Sequence, residues 1–562
     1  MNTELLAELL FPQITKSVED YEAQYPPRNL PEGAKVTRFA PSPTGFVHFG
    51  GMYQVMIGER LAHQSGGVFY LRIEDTDAKR EVEGAAQGVI KTLAHYGAEF
   101  DEGASIGEDG SIVSKGIYGP HKQSQRAEIY QTYAKKLVKE GKAYPVFTTA
   151  QELEEALAVD KKTENKTKDW SATAEEARKE MLANREITIE QVQAELAAGH
   201  PFVLRILSDG DGEKKVKVVD QIKGALELPE NDEDFVLLKS DGIPTYHFAH
   251  AVDDHLMGTT HVIRGEEWLP SLPKHLQLFR YLGFRAPKYL HTAQVLRLDE
   301  NGNKKKLSKR DMGAKMEDYD ALGYPPISVI EYLMTLLNSN YEEWHAANPT
   351  LPYTDFPFSI KKMSSSGCLF DMDKLGDVSR TVISKMDTET VYEKVCRWAE
   401  QFDRELFDLL TADPDYAKQI FAIGRGGSKP RKDLTTWADV RPYVAFFYPS
   451  LFTIKDTIPD RFEPALIKTA LSAFLQSYDP SDDSAVWFDK IKAICPALGF
   501  SADMKAYKKD PSAFAGSVGD LSMFLRVAVT GKQSSPDLYT VMQILGEKET
   551  VTRIKSFADR LS

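Results

Sequence analysis

Polar and apolar positions change period twice between residues 36 and 73. Residues 36–40 and 68–73 (VFYLRI) are short apolar runs of the kind that form buried strands. Between them, 50–64 repeat apolar residues at helical spacing, and Gly66-Gly67 closes that run. Strand, turn, helix and strand predict a βαβ unit and a parallel sheet. Residues 101–122, rich in Gly, Asp and Ser, read as a loop. Residues 125–143 and 150–200 read as charged helices, and 201–207 (PFVLRIL) and 215–222 (KVKVVDQI) as strands, so this section predicts an α+β insertion. Strand signals return at 234–239, 261–264 and 289–296, and from about 386 the pattern is helical. One late helix is well marked. Ser535 is placed as N-cap and Pro536 at the first position; Leu538, Val541, Met542 and Leu545 share a face, and Gly546 stops it. No internal repeat is present.

With 562 residues, 42% hydrophobic and 27% charged, the chain has material for several soluble domains. At ~150 residues each, three or four are expected. Cys368, Cys396 and Cys495 are too few and too scattered for a disulfide framework or a four-thiolate zinc site, which fits a reducing compartment. The opening MNTELLAELLFPQ has no basic stretch ahead of its apolar residues, so it is not read as a signal peptide. No apolar run approaches the ~18 residues of a membrane helix. A cytoplasmic protein without a membrane partner is expected. The net charge of −14 disfavours a nucleic-acid partner for the surface as a whole and leaves that role to local basic faces.

Three stretches carry candidate chemistry. RFAPSPTGFVHFGG (38–51) leads from a strand through two prolines to one histidine and a glycine pair, where a helix begins. Such a turn gathers backbone N–H groups at a positive helix end and suits phosphate. Gly50 and Gly51 leave room for a flat ring, with His48 as a donor. Taken alone, the stretch also reads as a stiffened turn with a surface histidine. No GxxxxGK[ST] occurs, so a nucleotide is not held by a P-loop. LRIEDTD (71–77) ends a strand in Glu74, Asp75 and Asp77, where open α/β sheets bind ligands. Asp77 reads equally as a helix cap. NGNKKKLSKR (301–310) is strongly cationic, a solvated surface or a polyphosphate clamp.

Together these stretches resemble a class I aminoacyl-tRNA synthetase, specifically a glutamyl-tRNA synthetase of bacterial type. RFAPSPTG with VHFGG resembles the HIGH signature, its last histidine here being Gly51. KLSKR (306–310) resembles the KMSKS signature, and SDGIPTYHFAHAVDDHLMGTTHVIRGEEW (240–268) lies where the family has its long central stretch. The resemblance implies an α/β fold: a Rossmann-type parallel-sheet catalytic domain in two halves, 1–124 and 234–285. It implies an α+β acceptor-stem-binding insertion at 125–233, a stem-contact segment with the KLSKR loop at 286–385, and an all-helical anticodon-binding region at 386–562. It implies a monomer that joins L-glutamate to tRNA(Glu) through a glutamyl-adenylate, using ATP and its Mg²⁺ and releasing AMP and pyrophosphate. The cysteine cluster by which some relatives bind zinc is lacking, so no zinc is expected.

Residue roles follow from the resemblance. His48, Lys306 and Lys309 are the catalytic donors. Gly50, Gly51, Glu267, Leu296, Leu307, Ser308 and Arg310 join them around ATP. Rejecting glutamine requires a fixed cation that glutamine would leave unpaired, and a guanidinium fork matches a carboxylate. Arg38, helped by Tyr246, is placed on the side-chain carboxylate, Arg264 on the α-carboxylate and Glu74 on the ammonium group. Ala40 and Ser42 line the pocket. Trp268 is read either as its wall or as core. His250 stands where some relatives have asparagine; it is expected to donate to the substrate and to make binding pH-dependent. His255 and His261 near Asp253 and Asp254 are read as framing rather than metal-binding. Arg425, Lys429, Arg431 and Lys432 in GRGGSKPRK are read as tRNA-phosphate contacts or as a solvated linker.

KKMSSSG (361–367) is spelled closer to KMSKS than KLSKR is. KLSKR is preferred for its charge density and its place directly after the last strand signals. The alternatives are an enzyme that also glutamylates tRNA(Gln) and an inactive tRNA-binding protein.

Overall fold

The computed structural model describes residues 2–77, 82–147, 185–308 and 310–561. They form two compact units, Met1–Asp318 with Ile330–Asp371, and Tyr319–Val329 with Met372–Ser562.

The first unit is built on the expected βαβ element. Strand β1 (Val36–Phe39) runs parallel to β2 (Val68–Leu71), joined by helix α1 (Phe49–His63). The alternation of a strand decides what each β1 side chain meets. Thr37 Oγ1 donates to the Gly58 carbonyl of α1, at 2.8 Å, while Arg38 points to the opposite face. Gly58 is required by packing: a Cβ there would lie 2.8 Å from the Phe69 ring.

Residues 101–122 are not all loop. Strand β3 (Glu102–Ile106) pairs parallel with β2 and antiparallel with β4 (Ile112–Lys115). The polar residues that suggested a loop make the tight turn between them. Ser111 N–H donates to Asp109 Oδ1 at 2.9 Å and Gly110 has φ +81°. Gly103, at φ +123°, sits so close to Leu71 that a Cβ would fall 2.4 Å from its backbone nitrogen.

On the other edge of β1, Thr260 N–H donates to the Val36 carbonyl at 3.0 Å. From there the chain enters β5 (His261–Gly265), which pairs parallel with β6 (Lys288–Thr292), Arg264 opposite His291. Helix α2 (Tyr246–Leu256) precedes β5, and α3 (Leu272–Leu282) links it to β6. The chain continues into β7 (Val295–Leu298) and antiparallel β8 (Lys304–Lys306). Between β4 and α2 in the sequence lie an antiparallel sheet of Ala143–Phe147, Phe202–Ile206 and Val236–Leu238, and a hairpin of Lys215–Asp220 and Gly224–Pro229. Of the helices expected over 150–200, Ile189–Ala197 is seen; 148–184 lie outside the described residues.

The second unit is mostly helical, its helices repeatedly begun by aspartate. Asp387, Asp403, Asp413 and Asp537 each accept a backbone N–H of the first turn. Asp537 is therefore the N-cap of the last helix, Leu538–Arg560, rather than Ser535, whose hydroxyl takes an Arg526 N–H instead. Gly546 does interrupt that helix, at φ +78°, and helical structure resumes beyond it. A short parallel bridge, Phe500–Ser501 with Gly516–Ser517, departs from an all-helical region. Among the described residues, no helix is long and apolar enough to cross a membrane.

Candidate active site

A spacing of four on α2 sets Tyr246, His250 and Asp254 along one face, turned toward the inner face of β1 and β2. Asp254 is the hub. It accepts Arg38 Nε–H at 3.1 Å, Arg72 Nη1–H at 2.7 Å and the His250 Nδ1–H at 2.8 Å. Burial alone would raise its pKa, but Arg38 and Arg72 hold it well below the usual carboxylate range. Arg72 Nη2 also reaches Glu74 at 2.9 Å. Burial pushes the Glu74 carboxyl up even against Arg72 and Arg38, so this group would gain from a further cation. Tyr246 stacks on His250 at 5.8 Å and lies 4.4 Å from the ring of half-buried Trp268. Trp268 thus belongs to the wall around Tyr246.

His250 is placed differently from expectation. Its Nδ1 is spent on Asp254 and its Nε2 lies 3.0 Å from the Tyr289 hydroxyl. Burial lowers its pKa to about 4 against the pull of Asp254, so the ring is neutral near pH 7. It braces Asp254 and Tyr289 and has no nitrogen left to donate to a substrate.

Arg264, at the end of β5, is only 4% exposed and has no carboxylate partner among the described residues. Its Nε–H goes to His291 Nε2 and its Nη1–H to His275 Nδ1, both at 2.9 Å. Its Nη2 is buried and unpaired. An orphaned guanidinium nitrogen is costly unless an acceptor arrives.

At the start of α1, Gly50 N–H donates to His48 Nδ1 at 3.1 Å, making His48 the N-cap. In the neutral ring the proton therefore sits on Nε2, a donor beside the positive end of a helix. A Cβ on Gly50 would meet only the His48 ring, whereas on Gly51 it would contact Phe39 at 3.5 Å. Open space thus lies at Gly50, and Gly51 serves the packing of α1 on β1. Ala40 is half-buried and Ser42 exposed on the loop between them.

The chain shortly after KLSKR comes to the same place. Lys315 forms an antiparallel bridge with His48; Phe49 N–H donates to the Ala314 carbonyl at 2.8 Å and Met316 N–H to that of Val47 at 3.0 Å. Lys306 stands opposite Leu296 across the β7–β8 ladder, exposed, while Leu307 is buried and anchors the turn. Ser308 N–H and Arg297 both hold Asp311, at 2.6 and 2.9 Å, and Arg310 is exposed. Lys309 lies outside the described residues. Glu267 is exposed and folds over Gly265 at the end of β5.

KKMSSSG is not remote from these strands: Cys368 and Leu369, directly after it, pair with Val295 and Leu296 on the side of β7 away from β8. The difference in charge stands, and Lys361 and Lys362 are exposed.

In the second unit, Arg425 Nη1 donates to the Ile383 and Met386 carbonyls at 2.7 and 3.2 Å, capping a helix end rather than facing a ligand. Arg431 pairs with Asp433 at 2.6 Å, Lys432 donates to Thr381 Oγ1 at 2.9 Å, and Lys429 is exposed. A cavity of about 480 Å³ opens elsewhere in this unit, lined by Trp487, Phe488, Lys492, Arg526, Leu538 and Tyr539 among others. The Trp487 indole N–H is buried there without a partner. The sequence reading missed this cavity, because its lining comes from segments fifty residues apart. It also missed Arg72, His275 and His291, and took Asp254 only as part of a framing stretch. Arg72 sat inside LRIEDTD, and its charge in apolar surroundings was the available signal.

Residues 35–375 match the family described as tRNA synthetases class I (E and Q), catalytic domain, and 504–558 match the anticodon binding domain. A glutamate–tRNA ligase of Acetivibrio thermocellus is 48% identical over 558 residues, spanning 99% of this chain and 100% of the relative. One of Clostridium perfringens is 47% identical over 562 residues, with 99% and 100% covered. The crystal structure of a glutamate tRNA ligase from Elizabethkingia meningosepticum in complex with its amino acid superposes with a TM-score of 0.72. It is 25% identical, covering 94% of this chain and 100% of that one. A class I catalytic-domain match over more than half of the chain and identity near one half across the full length of two relatives agree: the chain belongs to the glutamate–tRNA ligase family of class I aminoacyl-tRNA synthetases.

Proposed function

We propose that the enzyme attaches L-glutamate to tRNA(Glu) through a glutamyl-adenylate. A glutamate α-carboxylate oxygen bonds to the α-phosphorus of ATP as the bond to the pyrophosphate oxygen breaks. The 3′-terminal ribose hydroxyl of the tRNA then attacks the acyl carbon, loses its proton, and AMP leaves. Mg²⁺ enters with ATP as part of that substrate; among the described residues no group of three His, Cys, Asp or Glu could hold a metal.

The protein's part is placement and charge. Arg264 receives the α-carboxylate on its orphaned Nη2. Arg38, with Tyr246, takes the side-chain carboxylate, and Glu74 takes the ammonium group and gains the counter-charge its burial calls for. His48 Nε2–H, Lys306, Lys309 and Arg310 meet the phosphates, with Ser308 and the backbone of Leu307. Adenosine lies along Gly50 and Leu296 near Glu267. The insertion, 125–233, holds the acceptor end, 286–385 the stem, and 386–562 the anticodon, with Lys429 on phosphate. The cavity at Trp487 and Tyr539 receives an unstacked base, since aromatic faces with a nearby cation suit stacking. Its Arg526, Leu538 and Tyr539 fall within the matched anticodon domain.

The observation that carries the reading is Arg264, a buried cation with one unpaired nitrogen, on the strand beside the helix that His48 caps. Incubating purified enzyme with ATP, radiolabelled glutamate and total tRNA, then separating the charged species, tests it. Label on tRNA(Glu) alone is expected. Label on tRNA(Gln) as well would make the enzyme non-discriminating, and no label at all would overturn the proposal.

A further inference from the structure

Two buried cations face the proposed glutamate site, and they are held in opposite ways. Arg38 leans on a carboxylate, Asp254, which takes its Nε–H at 3.1 Å. Arg264 is held by two imidazoles, His291 on Nε and His275 on Nη1, and its Cζ sits 4.7 Å over the Tyr289 ring. A guanidinium only donates, so His291 Nε2 and His275 Nδ1 must both carry lone pairs.

The groups behind them fix those tautomers. His291 Nδ1–H donates to Asp220 Oδ2 at 2.7 Å, and Asp220 is itself held by the Ile222 and Lys223 N–H groups at 2.9 and 2.8 Å. His275 Nε2–H donates to His247 Nδ1 at 2.9 Å. His275 and His291 are both fully buried. A carboxylate in either place would fix the guanidinium plane too, but it would neutralise the charge and compete with the substrate. A neutral imidazole fixes the plane and leaves the charge in place.

We propose that His275 and His291 are positioning residues for glutamate recognition. They aim Arg264 Nη2 into the pocket while keeping its full charge for a substrate carboxylate, with Asp220 and His247 setting their tautomers. The proposal rests on Arg264 being the carboxylate clamp.

Steady-state glutamylation with glutamate and ATP varied in turn, on the full-length enzyme, tests it. His275→Leu and His291→Leu should each raise the KM for glutamate roughly tenfold, the scale of one buried donor left unpaired. The KM for ATP should stay within about twofold. His275→Gln, whose amide oxygen accepts the Nη1–H, should recover most of the loss. His275→Glu also accepts it but cancels the charge, and should stay as poor as the leucine variant. Unchanged glutamate KM in both leucine variants, or equal behaviour of Gln and Glu, would overturn the proposal. If the leucine variants fail to unfold cooperatively, the Gln–Glu pair decides alone. Arg264→Gln serves as the reference: if it leaves glutamate KM unchanged, the carboxylate clamp itself is wrong. If it raises KM while the histidine variants do not, only the positioning role falls.

Discussion

Lys315 pairs with His48 across an antiparallel bridge, although 266 residues separate them in the sequence. Flanking hydrogen bonds of 2.8 and 3.0 Å, Phe49 to Ala314 and Met316 to Val47, make this a backbone clamp. The histidine that caps α1 is therefore tied to the chain nine residues beyond Lys306.

That placement makes the two look-alike loops separable by experiment. Lys306→Ala is expected to slow adenylate formation by ~10²–10³-fold, the usual loss for one donor to developing charge. The double change Lys361→Ala with Lys362→Ala should mainly weaken tRNA binding. Single-turnover kinetics on both would show it, and a reversed pattern would exchange the loops' roles.

Arg38→Gln keeps polarity but removes the charge proposed to meet the glutamate side chain and leaves Asp254 with Arg72 alone. The KM for glutamate should rise by at least ~10-fold while ATP binding changes little, as follows from an unpaired buried charge. Normal glutamate kinetics in this variant would refute the pocket assignment.

Six histidines, five of them buried and His247 half-buried, dictate how stability responds to acid. Burial lowers His121, His247, His250 and His261 to about 4, and also lowers His275 and His291. Unfolded, such rings take up a proton near the ordinary histidine pKa of ~6.5. Between those values the unfolded state binds more protons, so stability falls as pH drops from about 6.5 toward 4, each ring contributing up to ~1.4 kcal/mol per pH unit. Calorimetric unfolding near pH 5.5, in buffers of differing ionisation enthalpy, should reveal uptake of several protons. No net uptake would contradict the burial of these rings. Because His250 is neutral well above its shifted pKa, the KM for glutamate should not depend on it between about pH 6 and 8.

Trp487→Ala should weaken tRNA binding by ~1–3 kcal/mol if a base stacks in its cavity, without altering glutamate activation. Binding titrations at two salt concentrations add a check. Lys429→Ala should lessen the salt dependence. A tryptophan variant with unchanged affinity would empty the cavity of its assigned role.

The βαβ element and the helical C-terminal region were legible because each is written in local spacing. The strands at 102–115 were not, since a hairpin turn and a glycine crossing use the same residues as a loop. The buried ion network was only half legible. Arg38 and Arg72 lie in motifs, but their shared partner Asp254 is reached through the fold, and nothing in the spacing ties it to either. His250 was misread for the same reason: its burial and its two partners are properties of the packed helix. Arg425 was mistaken for a surface charge because a helix end in need of a donor is invisible in the sequence.

Asp254 serves Arg38, Arg72 and His250 at once, which bears on how such a pocket can change over generations. Replacing Asp254 leaves two buried guanidinium groups short of an anion, and replacing Arg38 or Arg72 removes one of the two cations that hold its charge, the kind of change that costs ~3–5 kcal/mol. Drift toward a neutral amino acid through one mutation at a time would therefore pass through poorly folded intermediates. The passable routes replace a cation and its anion together, or first gain spare stability elsewhere, so Arg38, Arg72 and Asp254 change as a set.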